Sequence, residues 1–277
     1  MKRLRRRIAG PAVLLCTACA LIQSPAERAA ALAEGAGFRT IPLPELPLRA
    51  YLRESAIAPG AARRLTIYIE GDGAPWLAAT RPPADPTPVE TVVLRMAAAD
   101  PSSPVAYLGR PCQHVDAPHR VDCAPALWTH GRFGEAAVAL ENRAVEALKA
   151  ASGASAIALV GYSGGGAMAA LIAARRNDTS CLVSVAAPLD TVAWTTSIAV
   201  SPLRTSHNPA EVAASLRQIP QTHFSGGDDA IVPPATIAGY LSRVPAARRV
   251  VVPGFDHACC WADQWARLRA LSCLAEG

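Results

Sequence analysis

The sequence has little charge: only 18% of its 277 residues are Asp, Glu, Lys or Arg, while 51% are hydrophobic. That balance excludes the composition of a disordered chain and supplies enough apolar side chain for one large core. A long hydrophobic run is also lacking. The apolar segment at residues 8–20 is interrupted by Gly10 and Pro11 and falls short of the ~20 residues that a membrane-spanning helix needs. No internal repeat is evident, and no Cys/His spacing repeats a zinc pattern, so no metal ligands are assigned, Cys112, His114, His119 and Cys123 included.

The formal charge of +5 points on its face to an anionic partner. Its location says otherwise. Lys2, Arg3, Arg5, Arg6 and Arg7 crowd the first seven positions and precede the short apolar segment, the layout of a secretory signal. Cleavage there removes five cations and no acid, leaving a neutral mature chain with no basic stripe for nucleic acid. Leu15-Cys16-Thr17-Ala18-Cys19 resembles a bacterial lipobox, with Cys16 where Leu is usual. Two routes stay open: lipidation of Cys19 as the first mature residue, or ordinary signal-peptidase cleavage near Ala18 or Ala20. Either gives an exported protein of the periplasm or cell envelope, associated with membrane only through an N-terminal lipid.

Beyond that segment stand Cys112, Cys123, Cys181, Cys259, Cys260 and Cys273. An even number in an oxidising compartment reads as disulfides. Cys112 and Cys123 enclose a short polar loop and are the expected pair; adjacent Cys259 and Cys260 are not expected to bond each other.

The expected organisation is a signal at residues 1–18, a linker and N-terminal extension at 19–60, and one domain at 61–277. In that domain β-like runs (65–70, 105–108, 156–160, 181–186, 222–225 and 248–252) alternate with helical patterns (91–99, 134–151, 164–175, 210–216, 234–242 and 263–274). Strands separated by helix-length segments need crossover connections, hence a mostly parallel sheet in a three-layer α/β/α sandwich. Residues 191–208 lack clear periodicity and follow a strand, which makes them a candidate cap over a site.

The chemistry is carried by Gly161-Tyr162-Ser163-Gly164-Gly165, a G-x-S-x-G between the apolar strand AIALV and the small-residue helix GGAMAALIAARR. Small residues two before and two after the serine permit a sharp strand-to-helix turn that lifts Oγ from the sheet edge. A serine hydroxyl is a weak nucleophile at neutral pH, so a base must take its proton and a carboxylate must orient that base. SGGDDAIVP follows one later strand and PGFDH the next. They supply Asp229 and His257 in the chain order Ser163, Asp229, His257, with Asp228 the rival acid. The other histidines show no partner pattern, and Asp256 reads as a turn residue.

GYSGG, SGGDDAIVP and PGFDH resemble the three active-site loops of the α/β-hydrolase superfamily, from about residue 65 to the C-terminus. The resemblance implies that fold and acyl transfer by Ser163, His257 and Asp229, with no metal or organic cofactor. It also implies an oxyanion hole made by the N–H of Gly164 and one from the loop after the first strand of the motif, Glu70-Gly71-Asp72-Gly73. Asp72, or alternatively Gly73, falls in register, with Glu70 where the superfamily usually has His. An Asp side chain beside an oxyanion must be turned away or paired, as with an Arg. The expected activity is that of an exported serine esterase on a small-molecule or lipid acyl substrate. The alternatives are a peptidase or lysophospholipase of the same fold, or a catalytically silent envelope lipoprotein.

Overall fold

A computed structural model describes residues 23–55, 63–74, 81–115 and 123–276. The expected sorting segment with Cys19, and also Pro75, Trp76 and His119, lie outside the described residues.

One eight-stranded sheet organises the chain. Its strands are β1 (Arg39–Ile41), β2 (Ala50–Arg53), β3 (Arg64–Ile69), β4 (Val105–Leu108), β5 (Ala156–Tyr162), β6 (Thr179–Val185), β7 (Gln221–Gly226) and β8 (Arg248–Val252). They lie in the order β1-β2-β4-β3-β5-β6-β7-β8. The β1–β2 and β2–β4 pairs are antiparallel, and every pair from β4 to β8 is parallel.

The central strands read as continuous apolar runs because both faces are covered. Leu65, Ile67 and Ile69 of β3 join Ile157 and Leu159 of β5 in one core. That core also takes side chains from α3 (Glu135–Ser152), α4 (Gly164–Ala173), α6 (Pro209–Val212) and α7 (Ala238–Leu241). The alternate positions Tyr68, Ala158 and Val160 enter a second core. It is closed by α1 (Pro25–Gly35), α2 (Val92–Ala99) and α8 (Trp265–Arg269). Trp261 and Trp265 are fully buried there. Two cores on the two faces of one sheet are the three layers that the alternating pattern predicts.

The N-terminal stretch departs from expectation. The described part of residues 19–60, read as linker and extension, contributes α1 and the antiparallel edge strands β1 and β2. Pro42, Pro44 and Pro47 hide that edge in the sequence, because they occupy the connection between two short strands whose Ile41, Ala50 and Leu52 are buried. A second correction concerns sulfur. Cys112 and Cys123 are bonded, as are Cys181 of β6 and Cys273 near the C-terminus, with 5.8 Å between Cα atoms in both cases. Cys259 and Cys260 are bonded to each other, against expectation. The chain there makes a tight turn with Cys260 at φ +125°, pinned where Asp256 Oδ1 accepts the N–H groups of Ala258 and Cys259. Among the described residues no helix is long and apolar enough to cross a membrane.

Candidate active site

Ser163 stands between β5 and α4 at φ +51°, a left-handed conformation that is costly for a residue with a Cβ and is held only when its surroundings over-determine it. What holds it is close packing: a side chain on Gly161 would collide with the Gly165 backbone, and one on Gly165 with the carbonyls of Ile69 and Glu70. The Ser163 N–H is also tied to the Val185 carbonyl of β6 at 2.8 Å. The small residues two before and two after the serine are therefore what the turn requires.

On one side of Ser163, the loops after β7 and β8 converge. His257 Nε2 lies 3.1 Å from Ser163 Oγ, and His257 Nδ1 lies 2.9 Å from Asp229 Oδ2. The Asp229 side chain is fully buried. Its second oxygen, Oδ1, accepts the N–H groups of Ile231 and Val232 at 2.9 and 2.8 Å. With both oxygens engaged and pointed, Asp229 fixes the imidazole with Nδ1 as donor and Nε2 facing the serine, the orientation a general base needs. Asp228, the rival acid, is exposed, and its backbone N–H donates to the Phe255 carbonyl. The base loop has an additional brace that sequence reasoning did not assign: the Tyr162 hydroxyl donates to the His257 carbonyl at 2.7 Å, with the two rings 5.5 Å apart.

On the other side lies the loop after β3. The N–H of Gly71 is taken by Glu70 Oε1 at 2.9 Å and that of Ala74 by the Pro86 carbonyl at 3.1 Å. Between them, the N–H groups of Asp72 and Gly73 meet no acceptor among the described residues, and the same is true of Gly164 at the start of α4. These are the three donors expected to serve an oxyanion. Gln113 clamps the loop from behind, donating through Nε2 to the Gly71 carbonyl at 2.9 Å.

The Asp72 carboxylate is neither turned away nor left bare. Its Oδ1 fills the space that a side chain on Gly164 would take, and both oxygens are ion-paired: Arg110 Nη1 at 3.0 Å and Arg132 Nη1 at 2.7 Å. Burial pushes the Asp72 carboxyl up, but Arg132 and then Arg110 outweigh it and hold the group below its ordinary value. Arg110 in turn is held by Glu141 of α3 through Nε and by the Arg132 carbonyl through Nη2 at 2.6 Å. Burial pushes the Glu141 carboxyl up to about 7 against the pull of Arg110. Glu70, where the superfamily usually has His, is also buried and pushed up to about 7. Its Oε2 accepts from the Tyr107 hydroxyl at 3.0 Å.

Ser163, His257, Asp72 and Gly73 share a cavity of about 490 Å³, walled by apolar groups that include Val89, Val92, Trp194 and Ile231. Trp194 belongs to α5 (Thr191–Ser197), inside the segment read as a candidate cap, and its Nε1 donates to the Ile231 carbonyl of the acid loop at 2.7 Å. Sequence reasoning missed Arg110, Arg132, Glu141 and Tyr162. Arg110 and Tyr162 carried a signal, the first just past the end of a parallel strand and the second at the end of one, where α/β sheets place their site residues.

No protein-family model matches the sequence, and no curated protein resembles it at a significant level. Solved structures do. A puromycin hydrolase aligns with 83% of this chain at a TM-score of 0.61 and 18% identity, though this chain spans 37% of that protein. Est1E from Butyrivibrio proteoclasticus aligns over 84% of this chain and 95% of its own at a TM-score of 0.58 and 15% identity. A proline iminopeptidase from Mycobacterium smegmatis gives the same coverages at 0.56 and 15%. Together with the mostly parallel eight-stranded sheet, these similarities show that the chain has the α/β-hydrolase fold.

Proposed function

We propose that this protein is an exported serine hydrolase that cleaves an ester-type bond by acyl transfer. The observation that carries this reading is the hydrogen-bonded series Ser163–His257–Asp229, at 3.1 and 2.9 Å, opening on an apolar cavity. Ser163 Oγ attacks the substrate carbonyl while His257 Nε2 takes its proton. His257 then returns that proton to the leaving alcohol, and water repeats the sequence to release the acid. Asp229 holds the imidazole and stabilises its charged form. The N–H of Gly164 with that of Asp72 or Gly73 receives the developing oxyanion, where one well-aimed donor is worth about 10²–10³ in rate.

Export is part of the proposal. Three disulfides suit an oxidising compartment, in keeping with the basic and apolar N-terminus. An apolar cavity favours an acyl chain over a charged peptide, whereas the fold by itself does not choose between ester and amide. The purified mature protein is expected to label with a fluorophosphonate probe and to lose labelling in Ser163→Ala. Folded protein that resists the probe would leave the silent envelope lipoprotein as the reading. A panel of esters of graded chain length, lysophospholipids and peptide amides then ranks the substrate classes.

A further inference from the structure

We propose that Arg132 is the anion receptor of this cavity and that the substrate carries a carboxylate, making the bond cleaved at Ser163 an ester of a dicarboxylic or similarly charged acyl group. This rests on the hydrolase reading for the reaction, but not for the binding.

Arg132 is only 6% exposed, yet it lines the cavity with Ser163 and His257. Its guanidinium is partly used: Nε donates to the Thr129 carbonyl at 2.7 Å and Nη1 to Asp72 Oδ2 at 2.7 Å. Nη2 has no acceptor among the described residues. A guanidinium offers five N–H groups in a fixed fork, and Nη2, which is not among the buried atoms that lack a partner, keeps access to solvent and is open to an entering acceptor. With Nε and Nη1 already donating, Nη2 offers one charge-assisted contact, for which an ionised carboxylate is the strongest acceptor.

The fork is already anchored. Arg110 Nη2 holds the Arg132 carbonyl, and the Asp72 that pairs with Arg132 is shared with Arg110. Glu141 pairs with Arg110 from behind, so Asp72 and the Thr129 carbonyl are the acceptors that Arg132 meets among the described residues. The acids that face the same space do not compete for it. Both oxygens of Glu70 are engaged, by Gly71 and Tyr107, and Glu90 is exposed. Apart from the backbone N–H groups expected to serve the oxyanion, Arg132 is the cationic side chain that an entering anion meets in this lining.

The test compares monomethyl adipate with methyl hexanoate, which puts a methyl in place of the free carboxylate, by proton release at constant pH. The wild-type protein is expected to favour the adipate by about ten- to a hundred-fold in kcat/KM, the range of a hydrogen bond to a charged group. Arg132→Gln should abolish that ratio, and Arg132→Lys should keep part of it. The ratio cancels any general loss from disturbing Asp72. Equal rates on both esters in the wild type, or an unchanged ratio in Arg132→Gln, overturn the proposal. Titration of Ser163→Ala protein with disodium adipate reads binding without turnover. If that binding is seen, and is lost on adding Arg132→Gln, while neither ester is cleaved and the fluorophosphonate probe fails, the receptor stands and the hydrolase reading falls.

Discussion

On the β7–β8 side of Ser163, the proposed acid and base arrive on consecutive loops 28 residues apart and are tied by neutral donors: the backbone N–H groups of Ile231 and Val232 to Asp229, and the Tyr162 hydroxyl to the His257 carbonyl. On the β3–β4 side, the expected oxyanion loop is fixed by charge. Asp72, Arg110, Arg132 and Glu141 come from four separate stretches of chain and are almost wholly withdrawn from solvent. The first arrangement is assembled locally and places one imidazole. The second gains its order from long-range ion pairs, whose attraction must outweigh the desolvation of every member. The difference teaches that a reacting group can be aimed by donors that carry no charge, whereas a loop of glycines, which has little side chain to pack, can be held by a buried ionic brace.

The contrast can be broken at three points. Asp229→Asn should lower kcat about 10³–10⁴-fold, since the amide favours the wrong imidazole tautomer, with little change in urea midpoint. Asp228→Asn, at the exposed neighbour, should stay within about two-fold. Equal losses in the two variants would dissolve the assignment of the acid. Arg110→Met should do the reverse on the other side. It strands Glu141, leaves Asp72 with Arg132 alone and should cost about 3–5 kcal/mol of stability, the scale for breaking a buried pair, read by denaturant unfolding. A loss below about 1 kcal/mol would show that the cluster is not the brace described here.

The third effect concerns pH and appears only as the solution is acidified. His223, inside β7 beneath the acid loop, is fully buried between Ser184 and Gln221, and burial pushes it down to about 3. Between its unfolded value of 6.5 and about 3, the unfolded chain binds the proton and the folded one does not. Stability should therefore fall as pH falls through that window, by about 1.4 kcal/mol per unit. His223→Gln should show a shallower decline between pH 6.5 and 4 in urea titrations; parallel curves would remove the buried neutral histidine from the account.

Much of this arrangement is readable in the chain. The strand expectations at 105–108 and 248–252 coincide with β4 and β8, and the helix expected from residue 164 is α4; β4 and α4 are apolar runs that report their burial, whereas the mostly exposed edge strand β8 is read from its β-branched valines. The three site loops are legible since each follows a strand and carries its own local turn chemistry. The edge strands β1 and β2 are not legible: three and four residues among prolines have no periodicity to detect. Nor is the Cys259–Cys260 bond, since adjacency gives no hint of the turn pinned by Asp256.

The sequence by itself determined the layered α/β architecture, the position of Ser163 at a strand-to-helix turn, and two loops able to deliver Asp229 and His257, because hydrophobic periodicity and turn residues act over a few positions. Only the tertiary structure decided that Asp229 rather than Asp228 turns inward, and that Asp72 is clamped by Arg110 and Arg132. It alone left one edge of Arg132 at the cavity wall. Those outcomes depend on which charges meet after residues 38 and 60 positions apart in the chain are packed together, and pairing at that range is set by burial and the geometry of the whole sheet rather than by any local pattern.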